Sequence, residues 1–324
     1  MGPPPLAREE LEPIVAAVLP GVRVEDLRPL SGGFRNHNFA LPSSVARSVP
    51  GVPDVPDVAC LLRVYPPADR SVFKEQRIAQ FLRGALRTPE YLRVERVGER
   101  WVALRSFEVG RPLHEVLLDP AQATWGLGVQ LGDTLARLHA FRFERHGELD
   151  EQLEVVSPYE LRADGLLGYV HGLLAAGSGA RLGAELSGGV LQLWRVHGPA
   201  LEIWTEQPRL IHGDFGPTNL IACQDGTLSV IDLEFACSNS PAFDFGNLLR
   251  PPLESAADVQ GGLAAGYEGA GGRLPERWPL LARFADTLAW LQFLSRPDCH
   301  ELVAADARER IGSAIGACRD GLGA

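Results

Sequence analysis

Two short polar segments carry the residues best suited to chemistry. The first is HGDFGPTN at 212–219, whose glycines and proline disfavour regular structure, so Asp214 and Asn219 are predicted to lie on a tight loop. The second begins with the apolar run 228–231 and delivers Asp232 from a buried strand. A carboxylate is costly there unless a cation or hydrogen-bond donors meet it, which indicates a functional position.

The polar side chains of these segments form a set of oxygen ligands. Glu234 is expected to share a strand face with Asp232, because side chains on a strand alternate with period two. Together with Asp214 and Asn219 they suit Mg²⁺, which takes one or two carboxylates and completes its shell with water and substrate phosphate. Zinc would need a set of His and Cys ligands at short spacing, and the segments hold no such set.

The elements that must position these residues divide the chain into two parts. Before about residue 110 the sequence predicts short strands and one helix that begins with Ser71 as its N-cap. After it the sequence is mostly helical, with Leu131, Leu135 and Leu138 on one buried stripe. The predicted strands are 34–41, 58–65, 91–97 and 101–107, and the predicted helical regions include 131–141, 165–190 and 256–274.

Composition bounds the class of protein. The 324 residues are 45% hydrophobic and 22% charged, which excludes disorder and predicts two subdomains with a cleft between them. Five cysteines without a C-x-x-C pair indicate neither a disulfide framework nor a zinc knuckle. No apolar run is long enough to span a membrane, and the N-terminus MGPPPLAREE lacks a secretory pattern, so a cytoplasmic protein is expected.

The net charge of −10 comes from the residues after Gly110, which include 28 acidic and 16 basic residues. A negative field repels nucleic-acid phosphate, so no nucleic-acid partner is expected. The same field mildly favours a cationic substrate, although the needs of solubility explain the charge equally well.

The two polar segments resemble the catalytic and metal motifs of the aminoglycoside phosphotransferase family. The likeness rests on HGDFGPTNL and VIDLEFA, and is extended by SNSPAFDFGNLLR, LARLHA and LSGGFRNHNFAL in the expected order. It covers the chain from about residue 30 to 250. The family shares its fold with choline, methylthioribose and type II homoserine kinases.

The resemblance implies an α+β, protein-kinase-like fold with two lobes. A small lobe with an antiparallel sheet, residues 1–107, would bind nucleotide, and a larger, mainly helical lobe, residues 108–324, would carry catalysis and the substrate site. Asp214 becomes the catalytic base that accepts the proton of the acceptor hydroxyl. Asn219 and Asp232 become magnesium ligands, whereas Glu234 either holds metal or is merely polar.

On the nucleotide side the resemblance points to a glycine turn and a charged pair. Ser31, Gly32 and Gly33 would let backbone amides approach phosphate, although a Gly-Gly hairpin turn explains them as well. Arg63 occupies the place where kinases usually carry lysine, and an arginine can also grip phosphate. Glu75 is the candidate partner of Arg63, the alternative being a solvated surface pair.

Backbone groups complete the expected nucleotide site. The segment SFEVG resembles the hinge that binds adenine, which would place contacts at the Ser106 carbonyl and the Glu108 amide. Among the other polar residues, His212 is predicted to brace the loop, His139 to be buried in packing, and Asp244 to cap a helix or tie the loop.

The resulting expectation is an ATP- and Mg²⁺-dependent kinase that phosphorylates a hydroxyl of a small molecule. Two alternatives stay open. A pseudokinase that binds nucleotide without chemistry would account for the missing lysine. A protein kinase would be expected to carry arginine at the position of Gly213 and an A-P-E segment, neither of which the sequence has.

Overall fold

The computed structural model describes residues 5–30, 35–42, 45, 60–205 and 207–322. Its contacts divide the chain into two compact units. The first unit comprises Met1–Leu113, Asp150–Glu154 and Asn219–Glu234, and the second comprises His114–Leu149, Val155–Thr218 and Phe235–Ala324. The two motifs of the sequence analysis are therefore distributed over both units.

A five-stranded antiparallel sheet dominates the first unit. Its strands are β1 (Arg28–Leu30), β2 (His37–Leu41), β3 (Cys60–Pro67), β4 (Tyr91–Val97) and β5 (Arg100–Ser106). They pair in the order β1-β2-β3-β5-β4. The four predicted strands are all present; β2 begins at His37 because the two preceding residues form a bend, and residues 34, 58 and 59 lie outside the described residues.

Two helices pack on this sheet, one of which the sequence analysis did not predict. Helix α1 (Arg8–Val18) repeats apolar residues at helical spacing, and its buried side chains join the core of the sheet. Helix α2 (Ser71–Leu82) begins where expected. The prediction of Ser71 as its N-cap was wrong, because the Asp69 carboxylate accepts the hydrogen bond from the Ser71 amide at 2.9 Å.

The two faces of β3 point into different surroundings. Leu62 and Val64 belong to the main core, which contains α1. Tyr65 instead packs with Val72 of α2 in a separate cluster. This alternation is the predicted one, and it places Arg63 on the face that carries α2.

A second, three-stranded sheet completes the first unit. Its strands are β6 (Gly110–Pro112), β10 (Leu220–Cys223) and β11 (Leu228–Val230), in the order β11-β10-β6. A Cβ atom on Gly110 would lie 2.3 Å from the Ala222 carbonyl oxygen, so only glycine permits β6 to approach β10 this closely.

The second unit is mainly helical, as predicted. Its four-stranded sheet has the order β8-β7-β12-β9, formed by β7 (Gly147–Leu149), β8 (Val155–Pro158), β9 (Arg209–Ile211) and β12 (Cys237–Asn239). The helices that follow α2 are α3 (Leu113–Leu117), α4 (Trp125–His139), α5 (Ala163–Leu173), α6 (Gly179–Leu182), α7 (Ala184–Thr205), α8 (Pro241–Leu248), α9 (Ala257–Gly269), α10 (Trp278–Ser295) and α11 (Glu301–Leu322). Across the described ranges, no helix is both long and apolar enough to cross a bilayer.

Helices α4 and α9 pack unusually closely through glycines. Gly128 and Gly132 on α4 face Gly262 and Gly266 on α9. A Cβ atom added to any of the four would lie 2.1–2.2 Å from a backbone oxygen of the other helix. The α4–α9 contact is thus backbone against backbone and leaves no room for a side chain.

Candidate active site

In the second unit, the loop that carries Asp214 is anchored by a buried carboxylate. Asp244 is fully buried on α8, and its two oxygens accept hydrogen bonds from the His212 amide at 2.8 Å and the Gly213 amide at 2.9 Å. Asn247, one turn further along α8, donates to the Gly213 carbonyl at 3.1 Å. Asp244 therefore ties the loop, one of its two predicted roles, and α8 fixes the backbone immediately before Asp214.

A buried pair, His139 and Tyr267, holds the Asp244 carboxylate in place. The Nε2 atom of His139 lies 3.2 Å from Asp244 Oδ2, and the hydroxyl of Tyr267 lies 3.0 Å from His139 Nδ1. Burial raises the pKa of Tyr267 well above its usual range, so this hydroxyl keeps its proton and donates. The contacts are all satisfied when His139 carries its proton on Nε2 and donates it to Asp244.

The conformation of the loop also requires glycine at position 213. Gly213 has φ of +79°, and a Cβ atom there would lie 2.5 Å from the Phe235 carbonyl oxygen. The arginine expected of a protein kinase therefore does not fit this backbone. The Asp214 amide donates to His212 Nδ1 at 3.2 Å, which is the bracing role predicted for His212.

In the first unit, Arg63 is the centre of a charged cluster. Its Nη1 donates to Glu75 Oε2 at 3.1 Å and to Asp232 Oδ1 at 2.9 Å, and its Nε donates to Asn38 Oδ1 at 3.0 Å. The side chains of Arg63 and Glu75 are 6% and 0% exposed, so this is not a solvated surface pair. Burial lowers the pKa of Arg63, but the carboxylates of Glu75 and Asp232 raise it above its ordinary value.

A second arginine and a tyrosine share Glu75, and the sequence analysis missed both. The Tyr91 hydroxyl donates to Glu75 Oε2 at 3.0 Å, and Arg105 Nη1 lies 3.8 Å from the same oxygen. Arg105 and Tyr91 are cross-strand partners on β5 and β4. Tyr91 and Arg105 are distant from Glu75 in sequence, so no local pattern indicates these contacts. Arg105 lies two residues from Ala103, which pairs with Arg63, so the two arginines share one face of the sheet.

The hairpin of β10 and β11 brings Asn219 beside the strand end that precedes Asp232. The Ile231 amide donates to the Asn219 carbonyl at 3.0 Å, one step beyond the paired residues Leu220 and Val230. Asp232 then adopts a left-handed conformation with φ of +67°, which turns the chain out of the strand. Its side chain is 32% exposed and therefore accessible from solvent.

Glu234 does not lie on a strand, so the prediction that it shares a strand face with Asp232 was wrong. The left-handed turn at Asp232 ends the extended conformation, and Leu233–Phe235 form a 3-10 turn. Asn36 donates to Glu234 Oε2 at 3.0 Å. Burial, reinforced by the negative charge of Asp232, raises the pKa of Glu234 to about 7.

We expect Glu234→Gln to stabilise the metal-free protein more at pH 8 than at pH 5. The pKa of Glu234 is higher in the folded than in the unfolded protein, so the folded state must bury a charge as the pH rises. The free energy of unfolding therefore falls between the pKa of an unfolded glutamate and about 7. The expected gain at pH 8 is about 2 kcal/mol. Thermal unfolding at both pH values measures it, with the exposed Glu9→Gln of α1 as control. An equal shift at both pH values would contradict the argument.

The donor set is chemically suited to Mg²⁺. Asn219, Asp232 and Glu234 offer only oxygen atoms and at most two carboxylates, the combination that magnesium takes when water and phosphate complete its shell. Within the described ranges, no three His, Cys, Asp or Glu side chains gather as a site for a metal held by protein alone. The oxygen atoms of Asn219, Asp232 and Glu234 fit Mg²⁺ by their chemistry.

The expected hinge residues Ser106 and Glu108 are joined through their side chains. The Ser106 hydroxyl donates to Glu108 Oε1 at 3.2 Å and accepts from the Glu90 amide at 2.9 Å. Glu108 is also bound by Arg87 at 2.7 Å. The glycine turn of Ser31, Gly32 and Gly33 lies outside the described residues.

Comparison with known proteins identifies the family of this chain. The model of the phosphotransferase enzyme family, abbreviated APH, matches residues 26–281, well over half of the chain. The chain belongs to the phosphotransferase enzyme family. The resemblance inferred from the two motifs is thereby confirmed, whereas no curated protein matches this phosphotransferase.

Solved structures of other phosphotransferases share the fold. Aminoglycoside phosphotransferase APH(4)-Ia is 19% identical with a TM-score of 0.71, over 98% of this chain and 100% of that one. A thermostable mutant of the same enzyme, in a ternary complex with AMP-PNP and hygromycin B, is 20% identical with a TM-score of 0.68, over 97% and 100% of the two chains. Macrolide 2'-phosphotransferase MphH from Brachybacterium faecium is 18% identical with a TM-score of 0.62, over 95% and 98%. The predicted α+β, kinase-like fold is confirmed.

Each predicted site residue of the phosphotransferase that the structure describes can now be placed in its unit. Asp214 lies on the anchored loop of the second unit. The first unit holds the others, and within it the structure joins Arg63, Glu75 and Asp232 by direct contact and Ser106 to Glu108. Asn36, Asn38, Tyr91 and Arg105 are additional members of this charged site.

Proposed function

We propose that this phosphotransferase moves the γ-phosphoryl group of ATP, in the presence of Mg²⁺, to a hydroxyl of a small molecule. The observation that supports it most directly is the bridging position of Arg63, whose guanidinium touches both Glu75 and Asp232. The buried Arg63 thus links Glu75, which is proposed to orient it, with Asp232, which is proposed to bind metal. Such preorganised charge is what phosphoryl transfer requires of a protein.

The proposed roles follow from the chemistry of each group. Asp214 accepts the proton of the attacking hydroxyl and orients its oxygen toward the phosphorus atom. Asn219 and Asp232, with Glu234 as a further candidate, would hold Mg²⁺, which when bound offsets the charge of the phosphate oxygens. Arg63 grips phosphate oxygens through donors that its carboxylate partners keep in place.

The nucleotide contacts belong to the first part of the chain. Ser31, Gly32 and Gly33 would cover the phosphates, and the hinge at Ser106 and Glu108 would bind the base through backbone groups. We propose residues 1–107 as the nucleotide-binding lobe and 108–324 as the catalytic and acceptor-binding lobe. Relatives crystallised with AMP-PNP, and with ADP, support a nucleotide of this kind.

The acceptor is proposed to be a small molecule with a hydroxyl group and, given the acidic second part of the chain, a cationic one. Hygromycin B in one relative's complex, and the name macrolide 2'-phosphotransferase for another, support small acceptors as a class. Aminoglycosides, macrolides, amino alcohols and sugars are therefore the acceptors to test first.

An acceptor screen that follows ADP release tests the proposal. We expect ADP formation from MgATP with at least one small hydroxyl acceptor, loss of the signal with EDTA, and no transfer to generic protein substrates. The phosphorylated product is identified by its mass. Thermal stabilisation by MgATP without turnover on any acceptor would instead indicate a pseudokinase and contradict the proposed reaction.

A further inference from the structure

We propose that Arg87 is a positioning residue for the base of the nucleotide and that it acts through Glu108. The inference rests on the proposed function, in which the backbone amide of Glu108 contacts the base. Arg87 lies outside every motif that the sequence analysis used, on the segment between α2 and β4. Its role emerges only from its contacts.

The side chain of Arg87 bridges the hinge and the turn between β10 and β11. Its Nε donates to Glu108 Oε2 at 2.7 Å, and its Nη1 donates to Asp225 Oδ2 at 2.7 Å and to Thr227 Oγ1 at 3.2 Å. The side chain of Glu108 is only 8% exposed, so this carboxylate depends on protein donors for its solvation. Arg87 is accordingly the principal counter-charge of the hinge.

Both oxygens of Glu108 are engaged, which fixes the direction of its side chain. Oε2 takes the bond from Arg87, whereas Oε1 accepts from the Ser106 hydroxyl at 3.2 Å. With its carboxylate held at two points, Glu108 has one orientation relative to the end of β5. A side chain held at two points restricts the backbone torsion angles of its own residue, and a backbone contact to a ligand depends on the orientation of that peptide group.

The main chain of Arg87 contacts the strand that leads to Asp232, at the proposed metal-binding end of the nucleotide site. Its carbonyl oxygen accepts a hydrogen bond from the Val230 amide at 2.9 Å, two residues before Asp232. A substitution of the side chain leaves this carbonyl in place. The two ends are therefore separable by experiment: the side chain acts on the base end, and the backbone supports the end that carries the proposed metal ligand.

Arginine suits this bridge because its planar fork presents several donors in divergent directions. Lysine offers a single ammonium group and is expected to keep only one of the two carboxylate contacts. Methionine keeps the apolar stem but no donor, which leaves the Glu108 carboxylate without its counter-charge.

The test compares two ligands that share the triphosphate chain, of which only one carries a nucleoside. We expect Arg87→Met to weaken binding of MgATP about tenfold, the loss typical of one charged hydrogen bond, in isothermal titration. Binding of Mg²⁺-tripolyphosphate, which lacks base and ribose, is expected to change less than about twofold. Arg87→Lys is expected to be intermediate, at about threefold for MgATP, and supplies the test if the methionine variant does not fold.

A matched control is available on the same unit. Arg8 also contacts two carboxylates, those of Glu12 and Glu25, but on the surface of α1. Arg8→Met should therefore leave both affinities unchanged. Equal weakening of both ligands by Arg87→Met would reveal a purely structural role and overturn the inference, as would unchanged MgATP binding. Failure of the unaltered protein to bind MgATP would instead overturn the proposed function on which the inference rests.

Discussion

Replacing Asp214 with asparagine should reduce kcat for phosphotransfer at least a hundredfold without unfolding the protein. An amide has nearly the same shape as a carboxylate but cannot accept the proton of the acceptor hydroxyl, and general-base catalysis contributes about 10²–10⁴ in rate. The loop should keep its conformation, because Asp244 and Asn247 hold the backbone of His212 and Gly213 and neither is changed. Initial rates of ADP release, with the acceptor found in the screen, provide the measurement.

The control for Asp214→Asn is Asp133→Asn on the surface of α4. Asp133 pairs with Arg137 one turn further along the helix, an exposed contact of little energetic weight. Its replacement should leave kcat unchanged, and both variants should unfold at temperatures close to that of the unaltered protein. Asp214→Asn that retains more than about a tenth of the original kcat would exclude Asp214 as the catalytic base.

Replacing Gly132 with alanine should cost about 3 kcal/mol of the free energy of unfolding. The new Cβ atom would lie 2.2 Å from the Leu263 carbonyl oxygen and 2.4 Å from the Tyr267 amide nitrogen. Neither backbone atom can rotate away, so α4 and α9 must separate, and overpacking of this kind usually costs about 1–3 kcal/mol. Urea unfolding followed by circular dichroism measures the change as a lower midpoint.

Gly168→Ala on α5 is the matched control for Gly132→Ala. A Cβ atom at Gly168 would meet nothing within 4 Å, so this variant should be neutral or gain up to about 1 kcal/mol from the higher helix propensity of alanine. If both variants behaved alike, the close approach of α4 and α9 would be refuted. Separation of the helices should also move Tyr267 from His139, and kcat should fall along with stability.

Local patterns were sufficient to predict several elements and the local structure around Arg63 and Asp214. Alternation predicted β3 and put Arg63 on the face of α2, and the glycines around Asp214 predicted a tight loop. These signals are local, because each depends on residues within one element. The strand expected at Glu234 failed for a local reason as well: the left-handed conformation of Asp232 ends the strand, and aspartate tolerates that conformation.

The residues that support the site could not be predicted in the same way. Tyr91 and Arg105 reach Glu75 from other strands, and Tyr267 reaches His139 across 128 positions of sequence. Such contacts depend on the register of the sheet and the packing of the helices, which the local patterns of a single sequence do not reveal. Helix α1, in contrast, could have been predicted, because Leu11, Ile14, Val15 and Val18 repeat at helical spacing.

The guanidinium group of Arg63 also determines which chemical probes can label this protein. Nucleotide probes that carry an acyl or sulfonyl electrophile label kinases by reacting with the amine of a lysine beside the phosphates. In the proposed nucleotide site the corresponding nitrogen atoms belong to Arg63, a permanently protonated, resonance-stabilised group buried between two carboxylates. The single lysine of the chain, Lys74, lies on α2. Lysine-directed nucleotide probes are therefore not expected to label position 63 of this protein.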